Sequence, residues 1–125
     1  MNILVVDDEN DIEDLFLQKF RHEIRSKEIN FSFRNNGEDA LIYLDQHKSE
    51  AFLILSDINM PGMSGIELLK KIKTQYDNPC PSVVMISAYG DKNSKKEAIE
   101  LGAEDFLAKP VDFDALKLKL RNKTV

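Results

Sequence analysis

Three short runs of the sequence are apolar at every position, without the alternation that is typical of a half-exposed strand. They are Ile3–Val6, Phe52–Leu55 and Val83–Ile86. Strands of a parallel sheet that is covered by helices on both faces have this composition, because neither face meets water. Two weaker runs, Phe31–Phe33 and Phe106–Ala108, complete a set of five predicted strands.

A helical pattern follows each apolar run. The first predicted helix extends from about residue 10 to 25 and places Ile12, Phe16 and Phe20 on one face. The second predicted helix follows Gly37. The third begins at Ser64, with Glu67 completing a capping box, and the fourth ends before Gly102. The fifth extends from about Phe113 to Leu120. Alternating strands and helices predict an α/β domain: a five-stranded parallel sheet with helices on both faces.

Composition limits the domain organisation and the partners. The 125 residues predict one domain over residues 1–125. A net charge of −5 argues against a nucleic-acid partner, because binding to phosphates requires clustered Lys and Arg. No apolar run reaches the ~18–20 residues of a membrane helix, so no membrane contact is expected. Cys80 is the single cysteine and has no internal disulfide partner, which favours a reducing, cytoplasmic location.

Polar side chains follow four of the five predicted strands. Asp7 and Asp8 come after the first strand, Asp57 after the third, Ser87 after the fourth and Lys109 after the fifth. All strands of a parallel sheet end at the same edge, and ligands of open α/β sheets bind outside that edge. We therefore expect these five residues to form one site.

Three aspartates in one place require a cation, because like charges repel and one carboxyl would otherwise keep its proton. A hard divalent ion with oxygen ligands meets this requirement, and Mg²⁺ is the abundant candidate. Zinc does not fit, since neither His22 nor His47 lies at a strand end. A metal, a lysine and a hydroxyl together predict a pocket for a phosphoryl group. The alternative is that Asp7 and Asp8 only cap the next helix.

Four blocks of the sequence resemble the receiver domain of bacterial two-component response regulators, of the chemotaxis-regulator type. The blocks are "LVVDDE", "LSDINMPGMSGIELL", "MISAYG" and "LGAEDFLAKP", and the similarity extends from Ile3 to about Leu120. The resemblance implies a flavodoxin-like fold with strand order 2-1-3-4-5.

The resemblance also implies the roles of the site residues. Asp57 would be the phosphoacceptor and, with Asp7, Asp8 and the backbone carbonyl of Asn59, would bind Mg²⁺. Lys109 would pair with Asp57 at rest and with the phosphoryl oxygens afterwards, its side chain directed inward by a cis peptide bond to Pro110. Ser87 would donate a hydrogen bond to the phosphoryl group.

For signalling, the resemblance implies a switch. Ser87 would move toward the phosphoryl group and Phe106, on the fifth strand, would turn into the vacated space; a plain core role for Phe106 is the alternative. The fourth helix, fifth strand and fifth helix would then form the output face, which is also a candidate homodimer interface. The resemblance implies that Asn59 and Tyr89 flank the path of the attacking water, and we hypothesise that the bulky Tyr89 slows hydrolysis; a half-buried loop aromatic is the alternative for Tyr89.

The partner implied is a histidine kinase or a His-phosphotransfer protein, which usually docks at the first helix. The chain is expected to be either a free-standing regulator or the receiver of a longer protein with a covalently linked output domain, which the short fifth helix mildly favours. The chain would catalyse only its own phosphorylation and dephosphorylation. One alternative is a Mg²⁺-dependent small-molecule phosphatase of similar fold, although Asn59 stands where such enzymes have a second aspartate. The other alternative is a degenerate receiver that acts only as an interaction module; it would have lost Asp57 or Lys109, and both are present.

Overall fold

The computed structural model describes residues 1–50, 52–76, 80–88 and 92–123. These residues form a five-stranded parallel sheet with the order β2-β1-β3-β4-β5. The predicted fold class and strand order are thereby confirmed. The strands are β1 (Asn2–Val6), β2 (Asn30–Arg34), β3 (Phe52–Asp57), β4 (Ser82–Ser87) and β5 (Asp105–Ala108).

Six helices lie within the described residues. They are α1 (Ile12–Lys19), α2 (Arg21–Arg25), α3 (Gly37–Asp45), α4 (Gly65–Gln75), α5 (Lys92–Glu100) and α6 (Phe113–Lys123). Among the same residues, no helix combines the length and the apolar character that crossing a membrane requires.

The two faces of the sheet carry separate cores, as expected for strands that are buried on both sides. Leu4 and Ile54 face a core that includes residues of α3, α4 and α5. Ile3 and Leu55 face the opposite core, which includes residues of α1 and α6. Neighbouring strand positions alternate between the two cores because successive side chains point to opposite faces. This explains why the central positions of β1, β3 and β4 are apolar without interruption.

The predicted first helix is wrong in one respect: the structure divides it at Phe20 into α1 and α2. Phe20 has φ −107° and ψ 17°, outside the helical range, yet its N–H still bonds to the carbonyl of Phe16 at 2.9 Å. Both rings are fully buried, and Phe20 lies edge-on to Phe31 with centroids 5.1 Å apart. Ring packing against β2 thus keeps the predicted apolar stripe while the backbone departs from the helix.

The predicted helix signals are confirmed elsewhere. The Ser64 side chain accepts a hydrogen bond from the Glu67 N–H at 3.2 Å, and Gly102 has a φ of +104° after α5. The Asp112 carboxylate accepts the Ala115 N–H at 3.1 Å at the start of α6. The last helix continues beyond the predicted end at Leu120, to residue 123.

Close backbone packing fixes the segment that follows β3. The Gly65 N–H, at the first position of α4, bonds to the Ile58 carbonyl at 2.8 Å. A methyl group on Gly65 would lie 2.1 Å from the Asp57 carbonyl oxygen and 2.8 Å from the Ile58 Cα. The start of α4 therefore rests directly on the backbone at the end of β3.

We predict that Gly65→Ala lowers the unfolding free energy by about 3 kcal/mol or more, because backbone atoms cannot move aside for the added methyl group. Gly37→Ala is the matched control, since Gly37 also begins a helix but faces the flexible Met63 side chain, whose Sδ would lie 2.7 Å away. It should cost less than about 1 kcal/mol. Urea unfolding measures both, and equal losses would contradict the backbone contact.

Candidate functional site

Three aspartates meet at the carboxyl edge of the sheet. Asp7, Asp8 and Asp57 each offer a carboxylate oxygen, and these oxygens lie within 4.8 Å of one another. Asp7 and Asp57 are only 3% and 5% exposed, whereas Asp8 is open to solvent. The expected clustering is therefore present, with two acids buried and one facing water.

The structure does not support the alternative in which Asp7 and Asp8 cap the next helix. Helix α1 begins at Ile12, and the residue at its N-cap position is Asp11, which makes no side-chain cap bond. Asp7 Oδ1 instead accepts the N–H of Glu9 at 2.9 Å, which turns the chain directly after β1. The paired acids thus belong to the sheet edge and not to the helix.

Lys109 is the cation at this edge. Its Nζ lies 3.0 Å from Asp7 Oδ2, 3.0 Å from Glu9 Oε1 and 3.4 Å from Asp57 Oδ2. Its backbone N–H bonds to the Ser87 carbonyl at 2.7 Å, and the Lys109–Pro110 peptide bond is cis, as the resemblance implied. A single ammonium is therefore shared among three carboxylates.

Burial and charge perturb the ionisation of the site. Burial and the nearby Asp7 raise the pKa of Asp57 above its usual value, and outweigh Lys109 and the Asn59 backbone N–H, which act to lower it. Burial alone would lower the pKa of Lys109, but hydrogen bonds to Asp7 and Glu9 raise it above its usual value. Lys109 therefore stays charged, while the charge on Asp57 is only partly compensated.

Ser87 ends β4 beside the acidic cluster. In the β3–β4 pairing Asp57 lies opposite Ile86, so Ser87 is one position further toward the same edge. Ser87 is 2% exposed. Asn59 is exposed two residues after Asp57, and Tyr89 lies outside the described residues.

Phe106 lies on β5 opposite Met85, two positions before the end of the strand. It is half-buried and packs against the core that α3, α4 and α5 cover. The side chain therefore meets both the core and solvent.

Glu9 is the site residue that sequence reasoning missed. In the sequence it is only a third acid after β1, whereas the structure makes it a direct partner of Lys109 at 3.0 Å. The sequence feature that could have indicated this contact is the position of Glu9 next to Asp7 and Asp8, at the edge of the sheet where Lys109 was expected.

The donor set fits a hard divalent cation. The three neighbouring groups are all carboxylates, which Mg²⁺ prefers, and the exposure of Asp8 leaves room for the water ligands that Mg²⁺ retains. Soft metals prefer sulfur or imidazole ligands, which this cluster lacks.

Comparison with known proteins agrees with this geometry. Residues 3–121 match the family described as the response regulator receiver domain. The chain is 40% identical over 121 residues to the transcriptional regulatory protein ZraR of Klebsiella oxytoca, which covers 96% of this chain and 25% of ZraR. It is 35% identical over 120 residues to a cyclic di-GMP phosphodiesterase of Thermotoga maritima, covering 96% of this chain and 30% of that protein. The chain thus spans less than a third of the length of either relative.

Solved structures agree as well. The chain is similar to the signal receiver domain of an HD domain-containing protein from Pseudomonas fluorescens, with a TM-score of 0.82 and 28% sequence identity. The similarity covers 97% of this chain and 84% of that one.

We predict that Asp57→Asn raises the stability of the metal-free chain above pH 3.8, the usual pKa of the carboxyl. Because folding raises the pKa of Asp57, the folded chain binds its proton more tightly, and wild-type stability falls as pH rises through the interval between the two pKa values. Asparagine resembles the protonated acid, so the two stability curves should meet below pH 3.8 and separate above it. Unfolding in EDTA across this range tests the prediction, and a pH-independent offset would contradict it.

Proposed function

Because the chain belongs to the response regulator receiver domain family, we propose that it is the phosphoacceptor switch of a two-component phosphorelay and that Asp57 accepts the phosphoryl group. The observation that carries the proposal is the position of Asp57, buried at the end of β3 within reach of Lys109 and beside two further carboxylates. Receivers act as switches, so catalysis here would be confined to the chain's own phosphorylation and dephosphorylation.

In the proposed reaction an oxygen of Asp57 attacks the phosphorus of the donor and forms a new P–O bond. The bond from phosphorus to the leaving group, an imidazole nitrogen or an acyl oxygen, breaks and its electron pair departs with that group. Lys109 moves from the carboxylates onto the phosphoryl oxygens and offsets their charge. The Ser87 hydroxyl donates a hydrogen bond to one of the same oxygens.

The expected cofactor is Mg²⁺. Asp7, Asp8 and Asp57, with the backbone carbonyl of Asn59, would hold it, and it would neutralise charge on the carboxylates and the incoming phosphoryl group. The compact carboxylate set supports this assignment.

Partners would detect phosphorylation at the surface formed by α5, β5 and α6, the output face. Helices α5 and α6 are the fourth and fifth helices predicted from the sequence, since the first predicted helix is divided into α1 and α2. An acyl phosphate adds negative charge and acceptor oxygens at Asp57, and Ser87 moves inward to bind them. Phe106 then turns inward, and the equilibrium between two arrangements of the output face shifts. Ile99 and Leu118, which are 45% and 59% exposed, supply apolar contact area for a homodimer or for an output domain.

The proposed phosphodonor is a histidine kinase or a His-phosphotransfer protein. Receivers usually accept it at the first helix, and Leu15 and Leu17 on α1 are each 39% exposed, which supports docking there. The proposed location is the cytoplasm, where such a partner would transfer its phosphoryl group. The role of Tyr89 in slowing hydrolysis, with Asn59 on the same water path, also stays a prediction.

Acetyl phosphate tests the central step. Incubated with Mg²⁺, the chain should gain the mass of one phosphoryl group, and Asp57→Asn should gain none. Asp8→Asn should react about tenfold more slowly, or slower still, because the change removes one of the carboxylates proposed to bind Mg²⁺. The exposed Asp114→Asn is the matched control and should react as the wild type does.

A gain of mass in Asp57→Asn would contradict the assignment of the phosphoacceptor. Steady turnover of p-nitrophenyl phosphate would instead favour the phosphatase alternative. Asn59 argues against that alternative, since its amide cannot supply the proton that a second aspartate supplies.

We further predict that Glu9→Gln increases the phosphorylated fraction at limiting acetyl phosphate by about two- to fivefold, the effect expected for one partly exposed ion pair. Glu9 competes with Asp57 for Lys109. The Lys109 Nζ lies 3.0 Å from Glu9 Oε1 and 3.4 Å from Asp57 Oδ2, so it is closer to Glu9. Glutamine keeps the shape and removes the charge. Glu13→Gln, on the exposed face of α1, is the control; an unchanged or smaller phosphorylated fraction in Glu9→Gln would contradict the competition.

A further inference from the structure

Strand β2 is an outer strand of the sheet, with β1 as its one neighbour. At the first position of β2, the Asn30 N–H bonds to the Met1 carbonyl at 2.8 Å. At the last position, the Arg34 carbonyl accepts the Asp7 N–H at 3.1 Å. Both ends of β2 therefore direct their backbone groups toward β1.

Phe31 and Phe33 direct their backbone groups away from the sheet, because bonding toward a neighbour alternates along a strand. Among the described residues, their two N–H groups and the Phe31 carbonyl make no hydrogen bond outside the pairing of β1 with β2. The Phe33 carbonyl accepts one from the Arg34 guanidinium at 2.6 Å, and a carbonyl oxygen can accept a second. The outer edge of β2 thus offers two donors and two acceptors.

This edge lacks the features that usually prevent another strand from pairing. Natural outer strands are protected by lysine, proline or a bulge. Strand β2 contains neither lysine nor proline, and its register with β1 is continuous from Asn30 to Arg34. The other outer strand, β5, differs because it begins at Asp105, which pairs with Lys119 of α6.

The side chains along β2 favour an aromatic partner on one face of the sheet. The Phe31 and Phe33 rings are stacked with centroids 5.8 Å apart, and both are only partly buried against the core that α1 and α6 cover. Aromatic side chains directly opposite each other on neighbouring strands stabilise the pairing. On the other face, the Ser32 hydroxyl lies 2.8 Å from the Tyr43 hydroxyl of the same chain.

We propose that β2 pairs antiparallel with β2 of a second copy of this chain, about a two-fold axis at Ser32. Phe31 then lies opposite Phe33 of the second copy, so the outward groups exchange four hydrogen bonds and the rings cover one another. Arg34 lies opposite the uncharged Asn30 of the second copy, so no like charges meet. Because the same surface is used by both copies, the contact closes as a dimer.

The proposed dimer is independent of phosphorylation at Asp57 and of the output face, since β2 and β5 are at opposite sides of the sheet. Two short strands bury less area than a standard interface, so the dimer should be weak and form near about 1 mM chain. On dilution, the average mass from sedimentation equilibrium should fall toward one chain, and the ¹H–¹⁵N signals of Phe31 and Phe33 should shift. A mass of one chain at every concentration would overturn the proposal.

Ser32→Lys places two lysines opposite each other at the two-fold axis and should weaken association by at least about tenfold. Ser32→Ala is the matched control: it removes the contact with Tyr43 without adding charge, and should associate as the wild type does. Leu118→Glu distinguishes this interface from the output face. Loss of association in Leu118→Glu but not in Ser32→Lys would overturn the pairing through β2.

Cross-linking tests the register even if Ser32→Lys does not fold. In a Cys80→Ala background with oxidised glutathione, Ser32→Cys should form a disulfide-linked dimer, because residues facing each other at this position have Cα atoms about 4.5 Å apart. Ser49→Cys, at an exposed position after α3, is the control and should cross-link at least about tenfold more slowly. Equal rates for the two variants would contradict the proposed register.

Discussion

The sharing of one lysine among three carboxylates is the interaction on which the site depends. Lys109 comes from the segment after β5 and reaches Asp7 and Glu9 after β1 and Asp57 at the end of β3. Its single charge faces three carboxylates, and burial together with the neighbouring Asp7 keeps the pKa of Asp57 above its usual value. A divalent cation bound by these carboxylates would stabilise such a site. The electrostatic deficit is thus the physical basis of the proposed phosphoryl transfer.

The fold places these charges at the carboxyl edge of the sheet, where Asp8 and Glu9 face solvent while Asp7 and Asp57 are buried. The central positions of β1 and β3 are apolar and buried, and the acids come only at the ends of these strands. Gly65 brings the start of α4 onto the backbone next to Asp57, and only a residue without a side chain fits there. Packing rigidity therefore fixes the position of Asp57, which a loop alone would not do.

The edge at which the strands begin differs from the edge that carries the aspartates. There Glu23 is a buried acid whose Oε2 pairs with Lys117 and whose Oε1 has no hydrogen-bond partner among the described residues. Periodicity did not reveal it, because Glu23 lies one position before Ile24 in a helix whose apolar stripe was read as continuous. In the structure Glu23 lies on α2, after the break at Phe20, and is buried.

The sequence by itself determined the α/β class, the parallel sheet and the edge at which Asp7, Asp57, Ser87 and Lys109 meet. The apolar runs and the polar residues that follow them are local features of the sequence, and a parallel topology brings the ends of the strands to the same edge of the sheet. Only the tertiary structure decided which carboxylates share Lys109, since Glu9 and Lys109 are 100 residues apart and nothing local specifies their contact. The same holds for the partial pairing of Glu23 with Lys117, which depends on how α2 packs against α6. Local patterns fix where residues lie in the elements, but charge pairing is settled by distances of a few ångströms between elements that are remote in sequence.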